Sequence, residues 1–335
     1  MDSSTRLPLL HLPSLAIDEV LSTMIPFELI NLSKASTTCK LIVKSFSKNR
    51  IHKNFRIGVS NLWNPMIRFL NDRDCWYSWE ITDEIETAGT MDSWNVRGLH
   101  IETAYVYSNG ENLMEKWMDV FMDIKQVFDV DLDYCKLDLS KFKELYETIM
   151  DWLLANFTSN TLLFLALRDE PAELVEHTLN TFTMVTLLEI DARATENWAY
   201  NIPDHIQWLA VDYGRLVELE HLLNFKASII QILGARLTNE DLNAFLKSWL
   251  NMESLQQLEA FHTNLINPDN FDSVLEDIPH QIGHSDRISD RFPEYQQLNG
   301  GFDIERKDGT NTSIFLYRFP YFTVMYMEPK WNQHQ

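Results

Sequence analysis

The chain has 335 residues, 45% of them apolar and 12% aromatic, enough for a substantial buried core and for more than one domain. Its formal net charge of −21 is unevenly spread: residues 1–60 hold eight Lys or Arg against four Asp or Glu, and the remainder holds 20 against 45, or −25. An acidic body repels phosphate, which argues against nucleic acid and anionic membranes as partners, whereas the basic N-terminal part is suited to meeting an acidic protein.

Leu7 to Phe46 contains three short amphipathic pieces. Ile17, Val20, Leu21 and Met24 fall at i, i+3, i+4 and i+7 and predict a first helix. Pro26 opens a second, where a first-turn residue has no use for its N–H, and Leu29 and Leu32 recur three apart. Ala35, Cys39, Ile42, Val43 and Phe46 form the stripe of a third, with Lys40 and Lys44 outside it. Three helices of two to three turns cannot hide these faces in about 40 residues, so the unit needs a partner. Pro8 and Pro13 interrupt the apolar run Leu7–Ile17, and Asp18-Glu19 close it without a small-residue cleavage site, so it is not read as a signal peptide.

Leu12-Pro13, Ile17, Val20-Leu21, Pro26, Leu29 and Leu32, followed by a basic third helix, resemble an F-box. Many F-boxes carry Trp or Phe about where Cys39 stands here. The resemblance implies docking on an acidic Skp-type adaptor through Leu12, Pro13, Ile17, Val20, Leu21, Pro26, Leu29 and Leu32, and through it a cullin-RING ubiquitin ligase.

Ser47 to Gly58 is basic and polar and is expected to be a hinge; Val59–Leu70 is ambiguous between helix and strand. Trp76, Tyr77, Trp79 and Trp94 follow in an acidic segment, and packing against the next layer is the expectation for so much aromatic area. Strands are predicted at Leu99–Val106, Val127–Leu132, Leu162–Leu167, Leu187–Ile190, Ile206–Val211, Ile229–Leu233 and Leu258–His262. Helices are predicted at Asn112–Ile124, Lys141–Leu154 and Pro171–Phe182, and after Thr238, where Asp241 three residues on makes a capping-box variant. Strand centres at Leu163, Leu188, Leu209, Ile230 and Glu259 are 25, 21, 21 and 29 residues apart, close to the period of leucine-rich repeats although no unit meets their full consensus. A doubly wound α/β sheet is the alternative. A closing hairpin is expected around Asp308-Gly309, followed by another strand.

The run from Leu237 to Phe261 is similar to the signature of the nematode F-box-associated type 2 domain, a family in which an F-box precedes such a region. The fold expected is therefore α/β: a three-helix F-box over 1–50, a linker and cap region over 51–95, and a leucine-rich-repeat-like array over 96–335 closed by a β-hairpin.

Chemistry leaves few traces. His280 and His284 lack the glutamate of a helical zinc motif, and Asp129, Asp131 and Asp133 imitate a calcium loop without its glycine or bidentate glutamate. Phosphate loops and nucleophile elbows are missing from the sequence. Cys39, Cys75 and Cys135, odd in number, read as reduced thiols of a cytoplasmic or nuclear protein; the sequons at Asn31, Asn156 and Asn311 are then chance matches. No run approaches the roughly 20 apolar residues of a membrane span. The expectation is a non-enzymatic substrate receptor with no metal or cofactor, bound to a Skp-type adaptor, a cullin and a target protein. The alternative is an interaction scaffold whose N-terminal helices pack back onto the body.

Overall fold

A computed structural model describes residues 9–50, 55–71, 75–96, 98–158, 160–168, 170–193, 198, 200–283, 301–319 and 323–329. Contacts divide the chain into two units, Met1–Leu137 with Asp151–Thr158, and Asp138–Met150 with Ser159–Gln335.

In the first unit the three N-terminal patterns become helices α1 (Ser14–Ser22), α2 (Pro26–Ala35) and α3 (Thr37–Arg50). Pro26 stands at the first turn of α2 with no N–H to satisfy, and Glu28 accepts from the Ile25 N–H at 3.0 Å, so neither entrance position leaves a donor to water. The Ser36 hydroxyl accepts from the Cys39 N–H at 3.1 Å and starts α3 one residue after α2 ends.

Residues 51–95, expected as linker and cap, carry strands β1 (Phe55–Ser60), β2 (Met66–Asn71), β3 (Cys75–Thr82) and the start of β4 (Met91–Val96). With β5 (Leu99–Tyr107) and β6 (Leu132–Asp138) they lie in the order β6-β1-β2-β3-β5-β4. The pairs β1–β2, β2–β3 and β4–β5 are antiparallel, and β1–β6 and β3–β5 are parallel. Ile57 and Val59, Ile67 and Phe69, and Trp79 and Ile81 share one buried face, while Arg68, Ser78 and Glu80 alternate onto the other. Helix α4 (Leu113–Phe128) covers the buried face: the Phe128 and Phe69 rings lie 4.7 Å apart, and the Trp117 Nε1–H donates to the Met66 carbonyl at 2.9 Å.

The strand expected at Val127–Leu132 is not one. Val127 and Phe128 are the last buried turn of α4, Asp129 ends it in the left-handed region (φ 52°), and β6 begins only at Leu132. The helix expected over Lys141–Leu154 is likewise split into a 3-10 stretch, Leu139–Leu145, capped by Asp138 through the Ser140 N–H at 3.1 Å, and helix α5 (Tyr146–Leu154).

The second unit contains five parallel strands in chain order: β7 (Leu162–Ala166), β8 (Leu187–Asp191), β9 (Trp208–Asp212), β10 (Ile229–Ile232) and β11 (Ala260–Leu265). Helices α6 (Ala172–Thr181), α7 (Leu219–Asn224) and α8 (Asn239–Leu250) connect three of the four steps. A doubly wound sheet reverses its strand order at a switch point; this one never does, so its right-handed crossovers fall on one face, as in a repeat array. Register places Leu163, Leu188, Leu209, Ile230 and Phe261 in one transverse column, each at most 1% exposed. Burial of each such side chain contributes about 1.5–3 kcal/mol. The Phe245 ring of α8 meets Phe261 at 4.5 Å, so the helices cover the face that bears this column. The last strand begins one residue beyond the expected centre Glu259, and Phe261, two residues beyond it, is the residue in register with Ile230.

Thr238 and Asp241 form the predicted box: the Asp241 N–H donates to the Thr238 hydroxyl at 3.1 Å and the Thr238 N–H to the Asp241 carboxylate at 2.9 Å. Gly234 ends the preceding strand at φ +71°, where a Cβ would also meet the Tyr213 backbone at 3.2 Å. The array closes with antiparallel strands β12 (His280–Gly283), β13 (Gly301–Glu305), β14 (Asn311–Arg318) and β15 (Thr323–Pro329), β15 pairing with β11. The β13–β14 turn is the one expected at Asp308-Gly309. Arg306 holds it through both Asp308 carboxylate oxygens (3.0 and 2.7 Å), reaches the Gln256 carbonyl at 2.8 Å and lies 5.0 Å from the Trp249 ring centroid. The Arg306 guanidinium keeps the Asp308 carboxyl well below the usual carboxylate range.

Candidate protein-docking surfaces

The three N-terminal helices sort their apolar side chains into two sets. Ile17, Leu21, Pro26 and Leu29 are buried within the chain, together with Phe27, Ile30, Cys39, Val43 and Phe46. Phe27 fastens α2 to the first unit: its ring stands edge-on to Trp79 at 4.7 Å and to Tyr77 at 5.7 Å, and Trp79 in turn meets Phe69. Trp79 thus packs into the next layer as expected of the aromatic segment, whereas Trp94 is 40% exposed. Lys34 pairs with Asp123 of α4 at 2.9 Å, and Lys40 donates to Gln126 of the same helix. Both partners of the ion pair are about half exposed, so it contributes little beside the Phe27 contacts.

The other set faces outward. Leu15 is 79% exposed, Leu41 64% and Leu10 44%. Pro13 is exposed, and Leu12, Val20 and Leu32 are half-buried. Of the eight residues that the F-box resemblance names, four therefore hold the helices together from beneath, and four stay within reach of a second molecule. Leu10, Leu15 and Leu41 escaped the sequence reading because they lie off the apolar periodicity; an apolar residue on a stripe otherwise made of Thr37, Thr38, Lys44 and Ser45 was the available signal.

A cleft of about 410 Å³ beside α2, α3 and α4 is lined by Ser33, Lys34, Ser36, Thr37, Lys40, Asp123 and Val127. Its cations are engaged by Asp123 and Gln126, and no nucleophile and base converge in it. Among the described residues no group of three or more His, Cys, Asp or Glu could hold a metal ion. Asp129 caps α4 and Asp133 pairs with Arg56 at 3.4 Å. His280 lies on β12 with its Nδ1 2.8 Å from the Ile278 carbonyl, and His284 is outside the described residues. None of the three cysteines forms a disulfide; burial pushes the Cys135 thiol well up. No helix among the described residues is long and apolar enough to cross a membrane.

In the second unit, the face opposite the buried column carries Leu187, Trp208 and Ile229 in one row, all half-buried. At the C-terminal ends of the strands the turns are tied to one another. The Leu167 N–H donates to the Asp191 carbonyl at 3.0 Å, the Ala192 N–H to the Asp212 carbonyl at 3.0 Å, and the Gly214 N–H to the Leu233 carbonyl at 2.7 Å. Asn264 and Ala235 exchange two hydrogen bonds at 2.8 and 3.1 Å. Arg193 lies 4.2 Å from the centroid of Tyr213, which is 48% exposed.

Compared with known proteins, residues 9–51 match the model of the F-box domain, and residues 200–263 match a model described as F-box associated. The second match runs from before β9 to within β11. The chain is 22% identical to the Skn-1 dependent zygotic transcript 15 protein of Caenorhabditis elegans over an alignment 354 positions long, which covers 93% of this chain and 95% of that protein. No solved structure matches.

Proposed function

We propose that this chain, with an F-box at its N-terminal end and an F-box-associated region in its second unit, is the substrate receptor of a Skp-cullin-F-box ubiquitin ligase. The observation that carries the reading is that Leu10, Leu15 and Leu41 stand in solvent inside the segment that matches an F-box. Leu12, Pro13, Val20 and Leu32 meet the adaptor, and Ile17, Leu21, Pro26 and Leu29 shape that surface from beneath. The second unit takes the target protein on the tied turns at the C-terminal ends of its parallel strands. Such a receptor does no chemistry: it raises the effective concentration of a target lysine near a charged ubiquitin carrier supplied by other subunits. The cytoplasm or nucleus suits three cysteines of which none is in a disulfide.

The burial of Ile17, Leu21, Pro26 and Leu29 favours the second reading, a scaffold with no ligase partner. Co-purification with a Skp family member separates the two. Leu15→Glu should weaken the complex by at least about 30-fold, the loss expected of one central anchor, while thermal unfolding of the free chain stays as it was. Leu21→Ala, at a fully buried position, should lose about 3–5 kcal/mol of stability and lose binding with it. No complex with the unaltered chain, or equal binding by Leu15→Glu, would leave the scaffold reading standing.

A further inference from the structure

Among the described residues, strand β4 ends the strand order of the first unit, and its side chains from Met91 to Asn95 stand in solvent. Met91, Asp92, Ser93, Trp94 and Asn95 are all exposed, with Met91 at 53% and Trp94 at 40%. On its inner side β4 pairs with β5 along its whole length, from Met91 opposite Ala104 to Val96 opposite Leu99. The Tyr105 N–H donates to the Thr90 carbonyl at 3.1 Å, which fixes the phase of the ladder. Hydrogen-bonded pairs alternate with non-bonded ones, so Asp92, Trp94 and Val96 turn their backbone groups toward β5. Met91, Ser93 and Asn95 turn theirs outward.

Edge strands are normally blunted by lysine, proline or a bulge. The sequence Met91-Asp92-Ser93-Trp94-Asn95-Val96 has neither lysine nor proline, and its pairing with β5 has no register shift. Its one charge, Asp92, accepts from the Tyr105 hydroxyl at 3.1 Å.

We propose that β4 is a dimerisation edge, where a second copy of this chain adds its own β4 antiparallel about a two-fold axis through Ser93. The outward-facing positions determine this register. A two-fold through Ser93 sets Ser93 opposite Ser93 and Met91 opposite Asn95, so every outward N–H and C=O of one copy meets an outward group of the other. Asp92 then stands beside Trp94 of the other copy, so no like charges face each other, and the two Trp94 rings lie on one face within diagonal reach. An axis through Asp92 instead would oppose two carboxylates and leave the outward groups of Asn95 unmatched. A single strand pair is small, so the dimer should be reversible, with a dissociation constant on the order of 10–100 μM.

The experiment is sedimentation velocity of the full chain over about 1–200 μM, a range bracketing that constant. The mass should rise from 39.3 kDa toward twice that value. Ser93→Pro removes an N–H that points outward and leaves the β5 ladder intact, and proline is tolerated on such an edge. It should raise the dissociation constant at least tenfold without moving the circular dichroism melt. Ser93→Lys, which sets two like charges face to face at the axis, should do the same without a backbone change. A mass fixed at 39.3 kDa at all concentrations overturns the proposal, as does equal association by both variants. So does a chain that stays monomeric while an added extended peptide protects the Met91, Ser93 and Asn95 amides from exchange, which would assign the edge to a target strand.

Discussion

His262 makes the stability of the second unit depend on pH in a window that can be worked out. It sits on β11, 1% exposed, edge-on to Tyr326 with ring centroids 6.5 Å apart. Register places Gln231 of β10 on one side and Tyr326 of β15 on the other, and the Tyr326 hydroxyl donates to Glu328. Burial pulls the imidazole from 6.5 down to about 4. Between those values the unfolded chain binds a proton that the folded chain refuses, so stability is full above pH 6.5 and declines as pH falls toward 4. From pH 7.5 to 5.5 the linkage amounts to about 1.3 kcal/mol, roughly a tenfold change in the folded-to-unfolded ratio. That range also stays above the sequence isoelectric point of 4.8, where solubility fails. Urea unfolding followed by tryptophan fluorescence should show this loss in the unaltered chain. In His262→Gln, with no titrating group at that position, the pH dependence should be weaker by that amount. Equal pH dependence in both proteins would refute the assignment of a neutral, buried imidazole.

Phe27→Ala removes a ring that touches Tyr77 and Trp79 and should cost about 3–5 kcal/mol in denaturant unfolding of the first unit; a loss below about 1 kcal/mol would mean that α2 does not depend on that socket. Arg306→Lys keeps the charge but cannot span both Asp308 oxygens and the Gln256 carbonyl, so it should destabilise the closing hairpin by about 1–3 kcal/mol, nearly as much as Arg306→Ala. Hydrogen exchange at Gly309 and Thr310 should speed up in both variants, and full rescue by lysine would refute the planar-fork argument.

Where side-chain periodicity and tertiary burial agree, the sequence was readable. The spacing of Leu163, Leu188, Leu209 and Ile230 anticipated a column that the register then produces, and Thr238 with Asp241 marked the start of α8 from local chemistry alone. It was unreadable where one apolar run served two elements. Val127 and Phe128 precede Val130 and Leu132 with only Asp129 and Asp131 between, and nothing local says that an aspartate will adopt the left-handed cap that glycine usually takes. The strands of residues 55–82 were only partly legible, for another reason. The basic, polar run Ser47–Gly58 suggested a hinge and Val59–Leu70 stayed ambiguous between helix and strand, although the alternation of Ile57 with Val59 and of Ile67 with Phe69 was there to be counted. At the candidate docking end, periodicity identified what is buried, and the solvent-facing leucines are by construction what it leaves out.

The tied turns of the second unit have an energetic meaning for recognition. A loop that orders only on binding subtracts its own conformational entropy from the affinity, about 1–2 kcal/mol for each residue fixed. Here each turn is already fixed by its neighbour: Leu167 by Asp191, Ala192 by Asp212, Gly214 by Leu233 and Ala235 by Asn264. These bonds run along the array in the direction of strand order, so they connect units whose connecting segments differ in length and sequence. An insertion within one crossover can therefore leave the rim in place, whereas Asn264→Ala, which removes both side-chain bonds to Ala235, frees the β10–β11 turn while the buried column beneath it stays packed. The rim can thus change with little cost to the fold, because the two depend on different atoms of the same strands.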